Sequence, residues 1–154
     1  KRVLEYLPNT LFIIVGSGDM ERQIINKVAE MGIADKVLFT GFLRGEDLAK
    51  AYQMADVYIL PSVSEPFGIT PLEALSNNTP VIISKQSGVS EILNNCLKFD
   101  FWDVNELSNK IIAVLKYHQL HRCLKENGSN EVRKMSWDIS AEKCREVYNE
   151  VLRK

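Results

Sequence analysis

Between Pro61 and Ala74 the chain reads Pro61-Ser62-Val63-Ser64-Glu65-Pro66-Phe67-Gly68-Ile69-Thr70-Pro71-Leu72-Glu73-Ala74. The apolar run Val57–Leu60 precedes it, so the segment is predicted to turn from a strand end into a helix over Thr70–Ser76. Pro71 suits the first helical turn, where its missing N–H leaves no donor unsatisfied. A helix start offers unpaired amides and the positive end of the peptide dipoles, a natural seat for a phosphate. Gly68 lets a ligand approach the backbone of Phe67, Ile69 and Thr70 closely. Glu65 stands before this seat and Glu73 one turn into the helix. Carboxylates repel a phosphate but accept hydrogen bonds from hydroxyls on either side of it. A sugar and a ribose joined by a diphosphate present that arrangement. On spacing alone a plainer alternative is at least as well supported: Glu65 as a loop carboxylate and Glu73 as a helix-start residue favoured by the dipole.

Other loops point the same way with less force. Gly16-Ser17-Gly18 follows an apolar run and opens a helix. It lacks the third glycine of the dinucleotide fingerprint, and a tight turn needs glycine without any ligand. Gly41-Phe42-Leu43 could offer backbone groups and an apolar face to a nucleobase, or be an ordinary turn. Ser87-Gly88-Val89-Ser90-Glu91 is a second glycine-containing helix start, for which a structural role is favoured. No P-loop lysine motif, GxSxG or HExxH occurs, and no Asp-x-Asp pair that would seat a nucleotide-bound metal.

These loops need a scaffold, and the chain has the length for one domain. It has 154 residues, 45% hydrophobic and 25% charged, enough to bury a core. Lys+Arg 19 against Asp+Glu 20 leaves a net charge of -1, which argues against broad phosphate neutralisation and hence against a nucleic-acid partner. No apolar run reaches the roughly 18–20 residues of a membrane helix. Lys1–Tyr6 carries no apolar signal-peptide core, so none is expected. Cys96, Cys123 and Cys144 are odd in number and form no CxxC, so free thiols in a reducing cytoplasm are expected. His118 and His121, with no third ligand nearby, read as surface residues rather than a metal site.

Strands are predicted at Leu11–Val15, Val37–Thr40, Val57–Leu60, Pro80–Ser84 and Cys96–Phe99. Helices are predicted at about Met20–Met31, Glu46–Ala55, Thr70–Ser76 and Val89–Leu93, from Val104 onward, and at Ile139–Leu152. Alternation of continuously apolar strands with helices implies an α/β fold, a doubly wound, Rossmann-like parallel sheet covered on both faces. Ligands of such sheets sit beyond the carboxyl ends of the strands, where the loops above lie.

With these residues in place, nearly the whole chain resembles the C-terminal, donor-binding domain of retaining GT-B glycosyltransferases, most closely family 4 ("group 1"). The resemblance rests on Leu11–Gly18, Val37–Phe42, and Ala55-Asp56-Val57 with Leu60-Pro61-Ser62. It rests further on the two-glutamate motif Glu65 and Glu73, on Pro80-Val81-Ile82, on Gly88 and Glu91, and on Ser136-Trp137 with Tyr148. It implies that residues 1–154 form a nucleotide-sugar-binding domain of a two-domain enzyme. By the same resemblance Glu73 binds the nucleotide ribose, and Glu65 contacts the donor sugar at the reaction centre as the catalytic glutamate. Amides of Phe67, Gly68, Ile69 and Thr70 hold the diphosphate and sugar hydroxyls. Phe42 and Leu43 face the base, with Gly16 and Gly18 in the donor site.

The implied reaction moves a glycosyl group from a nucleotide diphosphate sugar to an acceptor hydroxyl with retained configuration, without metal or other cofactor. The implied acceptor is bound by an N-terminal domain absent from this chain, and the isolated piece is expected to be inactive. A cytoplasmic enzyme is implied, with peripheral membrane association of the full enzyme as a further expectation. Rival readings are a nucleotide-sugar epimerase of the same architecture and a non-catalytic binding module. Against the family pattern the chain begins inside the helix after the first strand, without that strand or the following arginine and lysine. Arg44 and Lys85 are available cations, but neither matches the motif position. In a sheet of order 3-2-1-4-5-6 the missing strand would lie between Leu11–Val15 and Val57–Leu60. These two are expected not to pair directly, because closing up would shift every helix packed on the sheet.

Overall fold

The apolar runs fold as parallel strands and the amphipathic stretches as helices. A computed structural model describes residues 1–153. In chain order it contains α1 (Arg2–Tyr6), β1 (Phe12–Val15), α2 (Glu21–Glu30), β2 (Val37–Gly41), α3 (Gly45–Met54), β3 (Tyr58–Leu60) and α4 (Thr70–Ser76). There follow β4 (Val81–Ser84), a 3-10 turn at Gly88–Glu91, β5 (Leu97–Phe99), α5 (Val104–Lys116), α6 (His118–Arg133) and α7 (Trp137–Leu152).

β4 is buried along its whole length. It pairs in parallel with β3 (Ile59 opposite Ile82) and with β5 (Ile83 opposite Lys98). Alternate side chains of a strand point to opposite faces, so β4 serves two cores. Val81 and Ile83 join Tyr52, Leu75 and Leu93 on one face. Ile82 joins Val3, Phe99, Ile111 and Val114 on the other. This three-stranded sheet is the doubly covered layer that its apolar runs predict.

β1 pairs in parallel with β2, from Phe12 opposite Val37 to Val15 opposite Gly41, with a bulge between Ile14 and Val15. No ladder bond joins β1 to β3 among the described residues, as expected. The two still share a core, because Phe12, Val57 and Ile59 pack against the same cluster.

The expectation that Leu11–Val15 is buried on both faces is corrected. Leu11, Ile13 and Val15 are exposed, and on β2 Leu38 is 57% exposed. The Ile24–Ile25 stripe of α2 is exposed too, and α2 buries none of its residues. The reason lies in where the helices gather: α4 and α6 pack together beside β3 and β4, and α1 and α5 cover the face that holds Ile82 and Phe99. Two further boundaries differ. The helical stretch after Val104 breaks at Tyr117, whose backbone is extended (φ -103, ψ 94). The helix predicted at Val89–Leu93 is the 3-10 turn. α6 meets α4 closely: Ser129 Oγ donates to the Leu75 carbonyl at 2.8 Å. A β-carbon on Gly128 would lie 2.5 Å from Leu75 Cδ2.

The uneven cover sets an expected contrast in stability. Phe99→Ala empties a fully buried site and should cost about 3–5 kcal/mol. Leu38→Ala should cost less than about 1 kcal/mol, as exposed substitutions do. Denaturant midpoints of the two variants check this, and similar losses would mean the β1–β2 layer is buried after all.

Candidate functional site

The site is built on the loop from Leu60 to Thr70. The amides of Phe67, Gly68, Ile69 and Thr70 donate to no protein acceptor among the described residues. Ile69 caps α4 without a side-chain bond, and Pro71 occupies its first turn. Four successive free donors on a folded loop must face water or a ligand. Gly68 makes the bend possible: its φ is +91°, a region closed to most side chains, and it is buried. An added β-carbon there would stand 3.2 Å from Glu65 Cγ and 3.3 Å from Leu60 Cδ2.

A second loop holds the first. Past the strand ends the pairing of β3 with β4 resumes as a parallel bridge between Glu65 and Ser87. Gly88 N–H donates to the Glu65 carbonyl at 2.9 Å, and Val89 N–H to the Phe67 carbonyl at 2.6 Å. Ser87 is buried and donates through Oγ to the Ser84 carbonyl at 2.7 Å. At Gly88 a β-carbon would sit 2.2 Å from the Pro66 carbonyl oxygen, so only glycine allows this approach. The favoured structural role of Ser87–Glu91 is what the contacts show.

Two tyrosines grip the start of α4. Tyr52 of α3 donates to Glu73 Oε2 at 3.0 Å, and Tyr58 of β3 donates to Thr70 Oγ1 at 2.8 Å. Their rings meet edge to face, with centroids 5.6 Å apart. Glu73 is half-buried, and its Oε1 has no protein partner among the described residues. Burial pushes the Tyr52 phenol well above its ordinary range, reinforced by the bond to Glu73 and that carboxylate's charge. Tyr58 is raised too, by burial and by the charges of Glu73 and Glu65, with the Thr70 bond pulling the other way.

The structure brings Glu65, Phe67, Gly68, Ile69, Thr70 and Glu73 together on one loop and helix start. Gly16 and Gly18 lie at the end of β1, where Gly16 N–H donates to the Gly41 carbonyl at 2.8 Å, next to Phe42. An open cavity of about 280 Å³ lies there, lined by Val15, Gly16, Ser17, Gly18, Met20 and Phe39. No hydrogen bond links this group to the Glu65–Glu73 segment among the described residues. Phe42 is 66% exposed, with the Arg44 guanidinium 4.8 Å from its ring centroid, and Leu43 is half-buried. Lys85 is engaged by Asp100 at 2.8 Å, so both spare cations have partners. His121 touches the Asp56 carbonyl at 2.9 Å. Among the described residues no cluster of three or more His, Cys, Asp or Glu forms a metal-binding group. Among the described residues no helix is long and apolar enough to cross a membrane. Sequence reading missed Tyr52 and Tyr58, whose partners lie 21 and 12 residues away, beyond any local pattern.

This architecture is that of the C-terminal domain of GT-B glycosyltransferases. Residues 1–131 match the family model of the glycosyl transferases group 1, and the chain belongs to that family. It is 34% identical over 145 residues to the glycosyltransferase MJ1607 of Methanocaldococcus jannaschii, covering 91% of this chain and 37% of that protein. The sucrose-phosphate synthase of Thermosynechococcus elongatus superposes with a TM-score of 0.83 at 29% identity, over 97% of this chain and 40% of that one. HepE of Anabaena, solved in complex with UDP, shares the fold with a TM-score of 0.81 at 20% identity, over 97% of this chain and 44% of its own. The chain thus spans less than half the length of these relatives.

Gly88→Ala should disturb the loop directly, since backbone rather than a flexible side chain stands in the way. The expected loss is about 1–3 kcal/mol of stability, with faster hydrogen exchange at the Val89 amide as its bond to Phe67 loosens. Unchanged exchange at Val89 would show that the loop does not depend on this approach.

Proposed function

We propose that this chain is the donor-binding part of a retaining glycosyltransferase that moves a hexosyl group from a nucleotide diphosphate sugar to an acceptor hydroxyl. The observation that carries this is the run of free amides at Phe67–Thr70 between Glu65 and Glu73. Family membership supports the reaction class. The HepE complex with UDP supports a nucleotide ligand for the fold.

In this reading the amides take the diphosphate, whose negative charge grows as the glycosidic bond breaks. Fixed donors aimed at developing charge stabilise the transition state without reorganising. Glu73 accepts the ribose hydroxyls through its free Oε1. Glu65 lies against Gly68 and contacts the donor sugar at the reacting carbon, with acceptor and leaving group on the same face. Phe42 and Leu43 flank the base, and Gly16 and Gly18 complete the donor pocket. No metal or other cofactor takes part. The acceptor is held by a further domain of the full enzyme, which works in the cytoplasm, where the free thiols Cys96, Cys123 and Cys144 stay reduced.

Calorimetry with UDP-, ADP- and GDP-sugars and the matching diphosphates tests this. One nucleotide series should bind, and chelator should leave its affinity unchanged. Glu73→Ala should weaken the free diphosphate by about 10- to 100-fold, the worth of one charge-assisted bond. Glu65→Ala should weaken the nucleotide sugar more than the diphosphate. Equal losses for both ligands would reverse the two roles, and no binding in any series would overturn the function.

A further inference from the structure

We infer that Tyr52 is a positioning residue for nucleotide recognition, holding the Glu73 carboxylate so that one oxygen faces the ligand. This rests on the assignment of Glu73 to the ribose. Tyr52 is only 6% exposed, yet its hydroxyl reaches a half-buried carboxylate at the site. Its ring is fixed by the core around Leu75, Val81 and Ile83 and by the edge contact with Tyr58. Its backbone carbonyl accepts from Thr79 Oγ1 at 2.6 Å and from the Ala55 amide at 3.0 Å. Beside it Gln53 Nε2 donates to Asn77 Oδ1 at 3.0 Å, tying α3 to the end of α4. The phenol is therefore a rigid donor on an element separate from the one that carries Glu73.

A free glutamate side chain turns about several bonds and loses that freedom when a ligand binds it. The bond from Tyr52 to Oε2 removes much of that freedom in advance and leaves Oε1 presented outward. Burial keeps the phenol protonated, so the donor persists throughout the neutral range. The orientation matters for a ligand hydroxyl that meets Oε1 and much less for groups held by the Phe67–Thr70 amides. Tyr52 therefore acts on discrimination between ribose and deoxyribose, rather than on diphosphate binding as such.

The test uses Tyr52→Phe, which keeps the ring and removes only the donor, with Glu73→Ala and the double variant. Affinities are measured by calorimetry for UDP, ADP and GDP and for their 2′-deoxy and 3′-deoxy counterparts. Tyr52→Phe should weaken the preferred ribonucleotide roughly three- to ten-fold and its deoxy analogues much less, so the ribo-to-deoxy ratio shrinks. Adding Tyr52→Phe to Glu73→Ala should change nothing further, the signature of two residues acting as one unit. Equal weakening of ribo and deoxy ligands would mean a merely structural role for Tyr52 and overturn the inference. So would an unchanged ratio in Tyr52→Phe while Glu73→Ala abolishes discrimination, and in that case the ribose assignment survives. If Glu73→Ala keeps full discrimination, the assignment itself falls and the inference with it.

Discussion

Two backbone bonds decide the polarity of the site. The amides of Gly88 and Val89 donate to the carbonyls of Glu65 and Phe67, so the loop before α4 is anchored through its acceptors. Its own donors, from Phe67 to Thr70, have no protein acceptor among the described residues. A peptide segment normally presents both signs of dipole. Here the neighbouring loop consumes the partly negative oxygens of Glu65 and Phe67 and spares the partly positive N–H groups. Four successive N–H groups with no protein acceptor among the described residues are a seat suited to an anion, although the Pro66 and Gly68 carbonyls also accept no bond from those residues. That matters in a chain whose net charge is only -1 and whose Arg44 and Lys85 are engaged elsewhere.

The bonds can form only because both loops leave a rigid pair of strands in register. β4 is buried throughout, and its alternate side chains lock it between two cores. β3 lies beside it, and the pairing resumes at Glu65 and Ser87 after the strands end. The tyrosines extend the same stiffness to α4 from the other side. One comes from β3 and one from α3, so the seven-residue helix is held at Thr70 and at Glu73 by separate elements. A helix this short has little stability of its own, so its placement comes from packing.

Much of this was legible in the sequence, for definable reasons. Gly68, Pro71 and the two glutamates carry backbone and charge requirements that act locally, and the α4 boundaries followed from them. The five strands followed from apolar β-branched runs. What failed was the inference from an apolar run to what covers it. Leu11–Val15 is at least as apolar as Val81–Ser84, yet only the second is enclosed. Composition records what a strand tolerates, whereas its cover depends on where distant helices settle. The break at Tyr117 has no glycine or proline to announce it. The clamp at Gly88 and the bond from Tyr52 join residues tens of positions apart, which no periodicity reports.

Gly128 has a consequence for anyone who would engineer this domain. Alanine for glycine inside an exposed helix is a standard route to greater thermal stability, worth about 1 kcal/mol in backbone propensity. Gly128 looks like such an opportunity in α6, since it interrupts sixteen residues of helix. Its β-carbon, however, would meet Leu75 Cδ2 at 2.5 Å, and Leu75 is wholly buried. Leu75 also lies two positions from Glu73, on the same helix. The weak point in the propensity of α6 is thus a condition of how closely it seats against α4, and a stabilising design should spend its alanines elsewhere.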